Sequence, residues 1–184
     1  MRTLLFLFLA LSLNSCNQTT EESTVEESTI EESTAINSAV DYYNSGVSKN
    51  ELQDYTGAIA DFTKAISLNP EYAEAYMGRG LSKAHLQDYT GSIADYTKAI
   101  VINSEYADAY LGRGNSKADL SDYTGSIADY TKVISLDPEY AKAYYNRGLS
   151  KFFLYDKTGA CYDWSKAGDL GHNGAYDKRK EHCQ

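Results

Sequence analysis

The chain has 184 residues, with 26 acidic against 17 basic side chains and a formal charge of −9. That balance, with no basic stripe, argues against nucleic acid as a partner. Its three histidines and three cysteines are dispersed along the chain, without Cys-x-x-Cys or His-Glu-x-x-His spacing, so no metal is expected.

Residues 1–16 hold one basic residue, Arg2, then the apolar run Leu4–Leu13 and Asn14-Ser15-Cys16. The run is too short for a transmembrane helix, which needs about 20 apolar residues, and has the features of a secretory signal over 1–15. Leu13-Asn14-Ser15-Cys16 resembles the lipobox of bacterial lipoproteins. The resemblance implies that Cys16 is the lipidated first residue of a protein of the bacterial cell envelope, anchored to the outer membrane and facing the periplasm or the surface. A plain secretory signal, or none, is the other reading. Residues 16–38 follow as a linker: Glu-Glu-Ser-Thr occurs three times between 21 and 34, with six glutamates and no basic residue. Such a segment buries too little apolar surface to fold and repels itself, so it is expected to be a spacer.

From residue 39 a block of 34 residues recurs: 39–72, 73–106, 107–140 and, more loosely, 141–174. Steps of that length carry Tyr42 onto Tyr76, Tyr110 and Tyr144, and Gly46 onto Gly80, Gly114 and Gly148. They also carry Asp61 onto Asp95, Asp129 and Asp163, and Phe62 onto Tyr96, Tyr130 and Trp164. With an aromatic fourth, glycine eighth, an aromatic twenty-fourth and proline thirty-second (Pro70, Pro138), the pattern resembles the tetratricopeptide repeat family. The resemblance implies an all-α, right-handed superhelical solenoid of four helix pairs with a short C-terminal capping helix. Arginine at 79, 113 and 147, where the family usually has leucine, and lysine at 49, 83, 117 and 151, where it often has tyrosine, mark a subtype.

In the second copy, Ala73–Leu86 is predicted as one helix, presenting Tyr76, Gly80, Lys83 and Ala84 to a neighbour. Asp88 is the expected N-cap of the next helix, predicted over Ser92–Ile102 with Ile93, Tyr96, Ala99 and Ile100 inward, and Asn103 ends it. The mid-helix glycines each cost roughly 1 kcal/mol relative to alanine, and close approach of two helix backbones is the expected return. Arg79, Arg113 and Arg147 can pair with Asp95, Asp129 and Asp163 in their own copies or with the aspartates of the preceding ones, in a structural ladder. After Trp164 the pattern fades, and Ala175–His182 is predicted as the cap. Cys161 and Cys183 can form a disulfide that staples this cap, or remain two free thiols.

No phosphate-binding glycine loop, Gly-x-Ser-x-Gly elbow or singled-out carboxylate pair is present, so no enzyme activity, catalytic residue or cofactor is expected. The expectation is a protein-interaction module. By the family resemblance, the first helices line a concave groove presenting Tyr43, Asn44, Val47, Met77, Leu81 and His85, then Leu111, Asn115, Tyr145, Asn146, Leu149 and Phe153. Apolar anchors beside asparagine amides suit a peptide or partner helix. Only Asn44, Asn115, Asn146 and Lys142 fall on positions of the family's carboxylate clamp, so that clamp is not expected. The alternative is a structural subunit of an envelope complex, docking through its convex or end surface.

Overall fold

The computed structural model describes residues 38–183, and within them every regular element is helical. The signal segment, Cys16 and most of the Glu/Ser/Thr linker lie outside the described residues. Helix α1 covers 38–51, and α2 is Tyr55–Leu68. The second pair is α3, Ala73–His85, and α4, Tyr89–Ile102. The third is α5, Ala107–Asp119, and α6, Tyr123–Leu136. Helices α7, Ala141–Phe153, and α8, Lys157–Asp169, form the fourth pair, and α9, Asn173–His182, caps the end. Each helix packs on its neighbours in sequence, while α3, α5 and α7 also touch in series. Elements one pair apart meet only on the inside of a curve, so the first helices form the inner wall.

The turn inside each pair is dictated by a short motif. Asp54, Asp88, Asp122 and Asp156 accept the backbone N–H of Gly57, Gly91, Gly125 and Gly159 at 2.9–3.0 Å. Such a cap contributes about 1 kcal/mol. A Cβ on any of these glycines would collide with the capping carboxylate, which accounts for glycine three residues after each aspartate. Helix α4 therefore begins directly after its cap at Tyr89, earlier than the sequence pattern suggests. On the other side of the turn, Asp88 N–H donates to the Lys83 carbonyl and Gln87 N–H to that of Ala84, both at 2.9 Å. These two bonds close α3 with a Schellman motif. The αL position is held by Gln53, Gln87, Ser121 and Tyr155, with φ of 61° to 65°, where glycine is the usual choice.

The core is a string of clusters, each centred on the aromatic residue of one second helix: Phe62, Tyr96, Tyr130 and Trp164. Each of these rings is at most 2% exposed, and burying a side chain of this size contributes roughly 2–3 kcal/mol. The mid-helix glycines make room for these rings. A Cβ on Gly46 would lie 2.8 Å from Phe62, and one on Gly112 would lie 2.5 Å from Tyr96 of the preceding copy. The expected approach of two backbones is thus mainly an approach of ring to backbone. The buried face of α3 also differs from expectation: Ala73, Ala75, Gly78, Gly80 and Ser82 are buried, whereas Tyr76, Lys83 and Ala84 are half-buried. Serines join the interior by pairing, Ser92 with Ser116 and Ser126 with Ser150, each at 2.8 Å.

The arginine ladder runs within copies. Arg79 donates through Nε and Nη2 to Asp95 at 2.9 and 2.7 Å, and Arg113 and Arg147 hold Asp129 and Asp163 in the same way. The third guanidinium nitrogen, Nη1, reaches back to Thr63, Thr97 or Thr131 of the preceding copy at 3.1–3.2 Å. Each lysine of the subtype, Lys83, Lys117 and Lys151, sits 2.7–2.8 Å from the same aspartate. The guanidinium also lies over Tyr76, Tyr110 or Tyr144, 5.4–5.5 Å from the ring centre. One planar donor therefore ties two helices of a copy and the copy before it. In the first copy Ser45 replaces arginine, donating to Asp61 at 2.6 Å beside Lys49.

Candidate binding groove

The inner wall is built from first-helix residues, some of them half-buried against the cores of their own copies. At its N-terminal end Tyr43 packs on Phe62 and Tyr72, with ring centres 5.8 and 5.0 Å apart, beside exposed Asn44. Val47 and Met77 are half-buried against the cores of the first and second copies. Leu81 is 38% exposed, and exposed His85 stacks on Tyr55 of the preceding copy at 4.4 Å. These positions give the wall an accessible strip of mixed aromatic, apolar and amide character.

Leu111 does not belong to the accessible strip. It is 7% exposed and packs in the third core cluster with Tyr130, Val133 and Ala143. The repeat position that carries half-buried Tyr43 and Met77 in the first two copies is buried here. Asn115 is partly committed: its Oδ1 accepts from the Tyr130 hydroxyl at 2.8 Å and from Asn146 Nδ2 at 2.9 Å. Asn146 is thereby held toward Asn115. Tyr145 stacks on His172 at 4.1 Å, so the end of the wall is shared with the segment leading into α9. Leu149 is half-buried against the Trp164 cluster, while Phe153 is exposed and stacks on Tyr123 at 4.8 Å.

The fold adds residues that the sequence analysis did not single out. Tyr72, Tyr106 and Tyr140 precede the first helices of successive copies, one step of 34 apart, and are half-buried. Glu74 and Asp108 stand exposed in the first turns that follow. Asp108 accepts the Tyr140 hydroxyl at 2.9 Å. Burial first, then the charge of Glu74, the Tyr43 phenol and Asp108, pushes the Tyr106 hydroxyl up to about 12. Tyr140 is likewise pushed up to about 12, by burial and then by its bond to Asp108 and the charges of Asp108 and Asp137. The signal was present in the sequence as a tyrosine directly before the first helix of the second, third and fourth copies.

At the far end the sulfurs of Cys161 and Cys183 are bonded, with Cα atoms 5.7 Å apart. The bridge fixes α9 on α8, and the His182 ring of α9 lies 4.5 Å from that of Phe152 on α7. Among the described residues no group of three or more His, Cys, Asp or Glu is arranged to hold a metal. None of the described helices is long and apolar enough to cross a membrane.

A tetratricopeptide repeat model matches residues 43–109, and a TPR repeat model matches 114–152. No curated protein matches the chain by sequence. Among solved structures, a crystal structure of MamA superposes with a TM-score of 0.72 at 20% identity, covering 92% of this chain and 99% of that one. The TPR domain of Arabidopsis OM64 gives 0.64 at 24% identity, over 65% of this chain and 98% of that domain. The first TPR of Spaghetti (RPAP3), bound to the HSP90 peptide SRMEEVD, gives 0.64 at 22%, over 65% and 95%. The blocks of 34 residues are tetratricopeptide repeats, and the chain folds as a tetratricopeptide-repeat solenoid of four helix pairs closed by a C-terminal helix.

Proposed function

We propose that this protein is a non-catalytic binding module of the bacterial cell envelope, held by lipid on Cys16, that takes a peptide or partner helix along its inner wall. Tetratricopeptide repeats are generally a protein-interaction fold, and the solved neighbour carrying the peptide SRMEEVD supports a peptide as the class of occupant. The observation that carries the reading is the set of exposed Asn44, Leu81 and His85 beside half-buried Tyr43 on the first helices, which offers an amide, an apolar side chain and rings to an occupant. The lipobox-like Leu13–Cys16 run supports the anchor, and the Cys161–Cys183 bridge suits an oxidising compartment.

Affinity capture from detergent-solubilised envelope tests the groove, with the wild type beside Asn44→Arg/Leu81→Glu. These positions avoid the core, unlike Leu111. A protein recovered by the wild type and lost with the variant is the expected result; identical captures would reject the groove. Fatty-acid labelling that survives Cys16→Ser would reject the anchor. One observation favours docking outside the groove: Leu52, Leu86, Leu120 and Leu154 are 45–80% exposed at the turn inside each pair, an apolar row along one edge. Capture lost with Leu86→Glu/Leu120→Glu and kept with the groove variant would select that reading.

A further inference from the structure

Resting on the groove reading above, we infer that the occupant of the first three copies is a basic segment, with lysine or arginine side chains placed against the Tyr43, Tyr72, Tyr106 and Tyr140 strip between Glu74 and Asp108. Tyr43 and Tyr72 are 5.0 Å apart ring to ring, Tyr140 is bonded to Asp108, and Tyr106 lies within the field of both Glu74 and Asp108. Half-buried phenol rings offer faces of negative potential, and the two carboxylates are exposed at one equivalent position of successive copies, one step of 34 apart. A guanidinium or ammonium group satisfies both features at once, by stacking on a ring and pairing with a carboxylate.

The first-helix cations of the second to fourth copies do not cancel this field. Arg79, Arg113 and Arg147 lie 2.7–2.8 Å from aspartates of their own copies, and the lysines at 83, 117 and 151 hold the same aspartates. At the position of Glu74 and Asp108 the fourth copy has Lys142, which is exposed, so the sign reverses there. The acidic strip thus has a defined end, and an acidic peptide would meet repulsion over the second and third copies. Carboxylates in the first turn also favour the helix dipole, which is a structural role needing no partner. A readout of binding rather than of stability separates the two.

The test is selection of peptides from a random phage-displayed library on the full chain purified in detergent, followed by affinity measurement on Glu74→Gln/Asp108→Asn and on Asn44→Arg/Leu81→Glu. The expected result is enrichment of lysine and arginine, affinity that falls with added salt, and roughly tenfold weaker binding by Glu74→Gln/Asp108→Asn, with a melting temperature lowered by no more than about 5 °C. Selected peptides that are neutral or acidic, yet lost with Asn44→Arg/Leu81→Glu, would overturn the basic occupant and leave the groove standing. Basic peptides whose affinity is unchanged by Glu74→Gln/Asp108→Asn would overturn the assignment of these carboxylates. Failure to select any peptide that depends on the groove would overturn both readings.

Discussion

Removing the aspartate of the arginine ladder is expected to cost very different amounts in the third and first copies. Asp129 has a side chain 5% exposed, and it accepts from Arg113 Nε at 3.0 Å, Arg113 Nη2 at 2.7 Å and Lys117 at 2.8 Å. Asp129→Ala leaves two adjacent cations, 17% and 20% exposed, without their anion. Breaking a fully buried pair costs roughly 3–5 kcal/mol; here the cations keep some access to water, so about 3 kcal/mol is expected. Asp61 is 15% exposed, and its partners are the hydroxyl of Ser45 and Lys49, itself 37% exposed. Its loss should cost about 1 kcal/mol. Thermal unfolding followed by circular dichroism compares the two variants, with melting temperatures lowered by roughly 8 and 3 °C. Equal losses, or a loss below about 1 kcal/mol for Asp129→Ala, would show that the guanidinium fork adds nothing to the stacking of copies.

Three further outcomes are expected. Gln87→Gly should raise stability by about 0.5–1 kcal/mol in urea unfolding, because glutamine holds φ of 63° without a compensating bond from its side chain. Gly112→Ala should lower it by about 2 kcal/mol, since the new Cβ lies 2.5 Å from the Tyr96 ring and that ring is 2% exposed with little room to move. In alkaline titration, burial, opposed by the Ser92 bond and reinforced by the charge of Asp95, holds Tyr96 up at about 12, against an unfolded value of 10.0. A folded pKa raised above the unfolded one contributes stability that is complete below pH 10 and lost as the pH rises toward 12. Phenolate absorbance should therefore appear in two stages, the later one coinciding with unfolding; a single stage with the fold intact would refute the burial of these phenols.

The sequence determined the repeat and its register without help, because one unit of 34 residues was written four times and each copy served as a comparison for the others. Helix pairs, the capping role of Asp88 and the stop at Asn103 were legible for the same reason: caps and turns depend on residues close in the chain. The direction of the arginine ladder was not legible, since Asp95 in the same copy and Asp61 in the preceding one satisfy the spacing equally well. Only the packing of α3 on α4 brings Arg79 to Asp95 and leaves its third nitrogen for Thr63. The groove divides in the same way. Tyr43, Leu81 and His85 lie on first helices, which the repeat register alone places, whereas the burial of Leu111 and the neighbourhood of Tyr106 and Tyr140 with Glu74 and Asp108 depend on contacts between copies. A periodic sequence fixes each unit by local bonds, but accessibility is a property of the stack, because it depends on what the neighbouring unit leaves uncovered.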